Sequence, residues 1–195
     1  MKHAERERTE AARLPEGNII RILLEQHAQI RELFVAVKAS TGAPKQERFD
    51  QLRELLAVHE VGEEMILRPV SKNTAGHEIT DARNHEEDEA THVLAELEKM
   101  DVNSPEFETK LASFEQAVSD HAEHEEHEEF PTVLAQRTEE ELKRMGERLL
   151  KAEKTAPTHP HPTAAGSPGM VKAAGPFASM LDRARDAFKK HSDDS

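Results

Sequence analysis

Cysteine, tryptophan and tyrosine are all missing from the 195 residues. Without cysteine the chain has no disulfide framework, no thiolate zinc site, no iron–sulfur cluster and no cysteine nucleophile. Without tyrosine there is neither a tyrosyl radical nor a phenolate metal ligand. A cysteine-free chain is compatible with a reducing compartment, and we therefore expect a cytoplasmic protein.

Long apolar runs are also missing. No stretch approaches the roughly 18 apolar residues that a membrane-spanning helix needs, so we expect no membrane span. The segment from Met1 to Glu10 is charged and leads into no apolar run, which disfavours a secretory signal. A net charge of −13 argues against nucleic acid as a partner. Neither a glycine-rich phosphate loop nor a Gly-x-Ser-x-Gly elbow occurs, so kinase and hydrolase functions have no support.

Histidine and acidic residues are abundant instead. The chain has twelve histidines and 39 aspartates and glutamates. Imidazole and carboxylate groups together form the usual ligand set for a first-row transition metal in a protein without thiolates. The composition therefore directs attention to a metal site.

Hydrophobic periodicity predicts helix almost throughout, bounded by prolines, glycines and N-cap residues. Four long helices joined by short loops predict an all-α, antiparallel up-down four-helix bundle with a short fifth helix and a flexible C-terminal extension. The predicted helices run from about Gly17 to Ala39, Pro44 to Arg68, His77 to Met100, Pro105 to Pro131 and Thr138 to Lys154. The predicted divisions are a frayed polar segment at 1–16, the bundle at 17–154, a Pro/Ala/Gly linker at 155–175, and an amphipathic helix and tail at 176–195.

Three of the predicted helices carry an inward stripe that polar residues interrupt. His27 interrupts the first stripe, His59 and Glu63 the second, and His121 and Glu125 that of the fourth helix. An unpaired charge on a buried face costs several kcal/mol, so such groups must pair with one another or bind a cation. His and Glu at i and i+4 lie on one face, where both can reach one metal or bridge two.

An internal repeat relates the second and fourth helices. Residues 49–69 align with residues 111–131 at a constant offset of 62, and both halves read apolar-x3-His-x3-Glu-Glu-x4-Pro. Two such helices facing one another would present two His-x3-Glu pairs to one centre. That arrangement fits a dinuclear site with carboxylates that can bridge two ions.

These motifs resemble those of the hemerythrin-like (HHE cation-binding) proteins, over about residues 18–153 and most closely in a bacterial, actinobacterial branch. The segment 81–87 and the Pro/His linker contribute to that closer likeness. The resemblance implies a four-helix bundle with a non-heme di-iron centre that meets O2 or a related small oxidant. The residues that it implies as iron ligands are His27, His59, Glu63, His121 and Glu125, with both glutamates bridging.

The third helix departs from the family pattern, in which one or two histidines serve from this position. Its predicted core stripe is Ile79, Ala82, Glu86, Ala90, Val93 and Leu97. Periodicity thus places Glu86 inside, whereas resemblance favours His85, which would need a local distortion such as a π-bulge. We keep both as candidate ligands. Glu86 as a ligand, and Glu125 where oxygen carriers have an aspartate one residue later, both argue against simple O2 transport.

The leading hypothesis is a di-iron protein that reacts with or senses O2, peroxide or nitric oxide, with catalase-like peroxide disproportionation as one activity. Two alternatives are an iron buffering or storage module without turnover and a zinc-binding structural bundle. The amphipathic segment at 176–191 would dock on this bundle or on a protein partner. His124 and His127 are expected on a solvated face, and Glu64 and Glu126 at the surface or beside the ligands.

Overall fold

The computed structural model describes residues 2–74 and 76–153, without the side chains of residues 77, 80, 84 and 88. Within those residues the chain is helical and has no strand, and the prediction of an antiparallel hemerythrin-like helical bundle is confirmed. The α-helices are α1 (Lys2–Ala11), α2 (Ile19–Ala39), α3 (Gly42–Gly62), α4 (Arg68–Thr74), α5 (His77–Leu97), α6 (Pro105–His124), α7 (Phe130–Gln136) and α8 (Glu139–Glu153). Two π-helical turns, Glu63–Leu67 and Glu125–Glu129, connect α3 to α4 and α6 to α7.

The N-terminal segment is ordered, contrary to our expectation of a frayed polar stretch at 1–16. Helix α1 packs along α2 and buries Ala4, Glu7 and Ala11. These three residues share one helical face, and Glu7 is tolerated there because its carboxylate accepts a hydrogen bond from Arg31 at 2.5 Å. The glutamate at the centre of the face hid this amphipathic pattern in the sequence.

Side-chain caps fix the starts of three helices. Asn18 accepts a hydrogen bond from the backbone N–H of Ile20, and Ser104 accepts one from that of Phe107. The predicted Ser-Pro start of α6 at Ser104 is thereby confirmed. Thr138 and Glu141 form a reciprocal capping box at the start of α8.

Pro69 and Pro131 do not end their helices, although we predicted that they would. A π-helical turn comes before each proline, and the chain then continues as α4 and α7. In these turns the N–H of Arg68 donates to the carbonyl of Glu63, five residues back. The N–H of Phe130 donates to the carbonyl of Glu125 in the same way. A wider turn moves the carbonyl that a proline ring would otherwise meet, so the helix can continue past the ring.

Two apolar clusters fill the bundle, one on each side of a polar layer. One cluster is built from residues such as Phe34, Phe107 and Phe114, and the other from residues such as Leu23, Phe130 and Leu149. The predicted ligands of α2, α3 and α6 lie between these clusters along their helices. The polar layer therefore lies between two regions of packed apolar side chains.

Helix α8 contacts α2, α3 and the first π-helical turn, which places it against the same end of the bundle as the second cluster. In the described ranges no helix combines the length and the apolar character needed to cross a bilayer. The predicted linker at 155–175 and the predicted helix and tail at 176–195 lie outside the described residues.

Candidate metal centre

Three histidines turn one ring nitrogen toward two buried glutamates. His27 Nε2 lies 3.4 Å from Glu125 Oε2, and His121 Nε2 lies 3.4 Å from Glu125 Oε1. His59 Nε2 lies 3.5 Å from Glu63 Oε1. All five residues are predicted ligands, and the fold brings them together. Both glutamates are fully buried, each at the first position of a π-helical turn.

The second ring nitrogen of each of these histidines contacts a side chain that lies outside this cluster of five residues. The three contacts are His27 Nδ1 with Glu126 Oε1 at 2.9 Å, His59 Nδ1 with Gln26 Oε1 at 2.9 Å, and His121 Nδ1 with Glu86 Oε2 at 3.0 Å. An acceptor at Nδ1 keeps the proton on that nitrogen, which orients the ring and leaves the Nε2 lone pair free for a metal. Gln26 was not predicted in this role. Glu126 was expected either at the surface or beside the ligands, and it lies beside His27.

Helix α5 contributes Glu87, which the sequence analysis missed. The buried face of α5 includes Arg83, Glu87, Thr91, Leu94 and Leu97, so the predicted stripe through Ala82 and Glu86 is one residue out of register. Two charged residues at the start of this face concealed it. The signal that could have found it is the i, i+4 spacing of Arg83, Glu87 and Thr91 leading into the leucines.

The two candidates on the third helix take different places. The His85 side chain is 74% exposed and lies 3.5 Å from Glu89, so the structure does not bring it to the other predicted ligands. Helix α5 is a regular α-helix here, without the distortion that His85 would need. Glu86 contacts the outer nitrogen of His121, and it also lies 3.0 Å from His124 Nδ1. Glu86 therefore borders the site from outside the inner cluster.

Two groups of four side chains can each supply one donor atom within 4.8 Å of the others. Glu63 and Glu125 belong to both groups. The first group is His27, His59, Glu63 and Glu125, and the second is Glu63, Glu87, His121 and Glu125. The two groups overlap through these two carboxylates, and each group could hold a metal ion.

Arg68 supplies a positive charge within this layer. Its side chain is 4% exposed, and it donates hydrogen bonds to Glu125 Oε1 at 2.8 Å, to Glu129 Oε2 at 2.6 Å and to Glu87. Burial disfavours the charged form of Arg68, but Glu125, Glu63 and Glu129 outweigh it and keep its pKa above the ordinary value. The guanidinium therefore stays cationic inside the bundle.

The pKa values of His27 and His59 shift in opposite directions. Burial disfavours protonation of His27, but Glu125 and Glu126 outweigh it and raise the pKa of His27 to about 9. Burial, together with the charge of His27, lowers the pKa of His59 well below its ordinary value. A cation entering the first group must therefore displace a proton from His27, whereas His59 is already neutral.

The two shared carboxylates also differ in the metal-free layer. Burial and the neighbouring charge of Glu125 raise the pKa of Glu63 well above its ordinary value. Burial acts in the same direction on Glu125, but His121, His27 and Arg68 outweigh it and lower its pKa well below normal. Two carboxyl groups placed close together cannot both ionise freely, so the pKa of one rises while that of the other stays low.

A cation fits this donor set. Within the described part of the chain, both carboxylate oxygens of Glu63 and the Nε2 atoms of His27 and His121 have no hydrogen-bond partner. Burying polar atoms without a partner costs free energy, and divalent cations bound at the two groups would satisfy these atoms. Imidazole nitrogen and carboxylate oxygen are donors that transition metals accept.

A cavity of about 380 Å³ opens beside the three histidines. Beyond them, its wall includes the side chains of Ile30, Phe34, Leu56, Leu94 and Phe114. The exposed residues of its wall on the helices of the bundle, among them Val35 and Gln116, lie on α2 and α6. The cavity thus joins the polar layer to solvent between these two helices through a largely apolar passage.

Comparison with known proteins gives a consistent result. The family model described as the hemerythrin HHE cation binding domain matches residues 18–133. An uncharacterized hemerythrin-like protein of Schizosaccharomyces pombe is 26% identical over 172 residues, covering 86% of this chain and 85% of that protein. The crystal structure of a hemerythrin HHE cation binding domain-containing protein from Mycobacterium kansasii matches with a TM-score of 0.62 at 22% identity. That alignment covers 68% of this chain and 83% of the other, and it shows a shared fold.

Glu60 provides a pH-dependent test of the electrostatics of this layer. Burial raises its pKa from 4.5 to about 7, although His121 and Arg68 oppose the rise. The unfolded chain releases this proton at lower pH than the folded one, so Glu60 increasingly destabilises the fold as the pH rises from 4.5 through 7. In chelator-treated protein, we expect Glu60→Gln to raise the Tm relative to wild type by more at pH 8 than at pH 5.

The matched control is Glu54→Gln, an exposed position on the same helix. Its difference in Tm from wild type should not grow with pH. A Glu60→Gln difference that is the same at both pH values would contradict the assigned environment of Glu60.

Proposed function

Because the chain belongs to the family of hemerythrin HHE cation binding domains, which bind metal cations, we propose that it holds two iron ions and reacts with or senses O2, peroxide or nitric oxide. The observation that carries the proposal is the pair of four-residue donor groups that share Glu63 and Glu125. His27 and His59 complete the first group, and His121 and Glu87 complete the second. Glu87 thus takes the place that the sequence analysis had left open between His85 and Glu86.

The donor chemistry favours iron over zinc. Structural zinc sites are typically closed by four ligands to a single ion and are often rich in thiolate. Here carboxylates shared between two neighbouring groups, combined with imidazoles, resemble the donor sets of iron carboxylate sites in helix bundles. A pair of iron ions bound there would supply redox chemistry and open positions for a small oxidant. Six donor side chains would hold the two ions.

The cavity supports a small, uncharged reactant. Much of its wall is apolar, which favours an uncharged reactant, and the charged side chains of Arg31, Glu60 and Glu115 line other parts of it. O2, hydrogen peroxide and nitric oxide are small and uncharged, and they can cross such a passage. His27, His59 and His121 line this cavity, so a reactant inside it would lie next to the donor groups.

Substitution of a donor tests the metal assignment. We expect His59→Ala to reduce iron, measured by elemental analysis after purification from iron-supplemented cells, to less than half of the wild-type content per chain. The first group would lose one of its four donors, and metal affinity depends steeply on donor number. His85→Ala is the control, because that side chain is exposed and outside both groups, and it should retain wild-type iron. Wild-type iron content in His59→Ala would contradict the ligand assignment.

Filling the cavity tests the passage. Ala90 lines the cavity, whereas Ala82 is exposed on the same helix. We expect Ala90→Phe to slow the reaction of the iron-loaded protein with peroxide or nitric oxide at least several-fold, measured by stopped-flow absorbance, with iron content unchanged. Ala82→Phe should leave the rate unchanged. Equal rates for the two variants would show that the reactant enters by another route.

The same experiments separate oxidant chemistry from iron buffering. A storage module would lose iron readily to a mild chelator and would show no catalytic consumption of peroxide or nitric oxide. A protein that retains its iron and consumes the oxidant over many cycles would be an enzyme. One that changes its absorbance once and stops would be a sensor.

A further inference from the structure

Arg68 occupies a particular place in the polar layer. Its Nη2 atom donates to Glu125 Oε1 and to Glu87 Oε1, and its Nη1 atom donates to Glu129 Oε2. The same Nη2 atom lies 3.8 Å from Glu63 Oε2. Thus one guanidinium meets every carboxylate of the second donor group, and it also binds a fourth at Glu129.

Two of the oxygens that Arg68 binds also lie near the histidine of the second group. His121 Nε2 lies 3.4 Å from Glu125 Oε1 and 3.7 Å from Glu87 Oε1, and Arg68 donates to both of these oxygens. A cation beside His121 would need the same two oxygen atoms. Arg68 and a metal ion at this group therefore compete for shared acceptors.

The internal repeat shows that this positive charge belongs to one half of the site. Arg68 aligns with Phe130 at the offset of 62. Phe130 stacks on His27 of the first group, with ring centroids 5.7 Å apart and an interplanar angle of 16°. The second group has Glu87 where the first has His27. The half with the additional carboxylate therefore also carries the additional cation.

We propose that Arg68 is a built-in cation that holds the carboxylates of the second donor group together when no metal is bound there. This inference rests on the proposed function for the identity of the competing cation, but not for the role of Arg68 in the metal-free fold. Without Arg68, these three buried carboxylates would lose a cation that contacts all of them, and they would repel one another at the centre of the bundle. Arg68 makes the fold independent of metal at this group, whereas a metal ion takes over part of its role when it binds.

A merely structural ion pair would stabilise the protein equally with and without metal, and Arg83 supplies that comparison. Arg83 is 5% exposed on α5, and it contacts Glu86 at 3.0 Å and Glu128 at 3.7 Å. Both of these acids lie outside the second donor group. Loss of Arg83 therefore removes a buried arginine of similar exposure without uncovering the shared carboxylates.

The test measures the Tm of Arg68→Met and of Arg83→Met in the full chain. Each protein is first treated with a chelator and then loaded with Zn²⁺, a metal ion without redox chemistry. In chelator-treated protein we expect Arg68→Met to lower the Tm by roughly 10 °C or to prevent folding, because buried carboxylates lose their partner. Zn²⁺ should restore most of that loss, so that it raises the Tm of Arg68→Met by more than it raises that of wild type. Arg83→Met should show the same Tm deficit in both states.

A second variant keeps the proposal testable if Arg68→Met does not fold without metal. The double variant Arg68→Met/Glu87→Gln removes the cation together with one of its carboxylates, and its metal-free Tm should lie above that of Arg68→Met alone. Equal metal-free Tm values for the single and double variants would overturn the proposal. A Zn²⁺-induced rise in Tm that is no larger in Arg68→Met than in wild type would also overturn it.

The proposed function and this inference fail in different ways. If wild type and all variants bind no metal, the two-iron proposal fails. The metal-free comparison of the single and double variants would still decide whether Arg68 holds the carboxylates together. If the proteins bind metal but Arg68→Met behaves like Arg83→Met, the role of Arg68 fails and the metal site stands.

Discussion

The burial of carboxylates between two apolar clusters is the constraint on which the rest of this structure depends. Glu63, Glu125 and Glu129 are fully buried, and an unpaired ion in such a place costs on the order of several kcal/mol. Three imidazoles and one guanidinium lie beside these carboxylates and offset their charge, and the donor atoms of the layer could also bind cations. The same features that would destabilise a plain helical bundle therefore constitute its candidate metal centre.

The backbone is adapted to the same layer. Each π-helical turn begins at one of the two shared glutamates, and a proline follows the turn after one intervening residue. The repeat at an offset of 62 thus includes backbone geometry as well as side chains. Helix α1 reaches the layer from outside, because Arg6 contacts Glu126 at 2.8 Å and Glu126 in turn contacts His27. Elements beyond the four bundle helices therefore help to orient the donor atoms.

Much of this could be predicted from the sequence, because interrupted apolar stripes and a repeated motif are strong signals. They identified the helical bundle and the five residues His27, His59, Glu63, His121 and Glu125 that the fold brings together. The buried face of α5 was predicted incorrectly, because Arg83 and Glu87 occupy positions where periodicity expects apolar residues. The continuation past Pro69 and Pro131 was missed because a π-helical turn has no composition signature. Arg68 was missed because its partners come from other parts of the chain, which a local pattern does not reveal.

The central claim is that this layer holds two iron ions, and a metal count with an absorbance spectrum tests it most directly. The protein would be purified from iron-supplemented cells, analysed for metals per chain, and measured in air and again after reduction. The account predicts about two irons per chain and near-ultraviolet bands that bleach on reduction. A single zinc ion per chain, or a folded helical protein without metal, would contradict it.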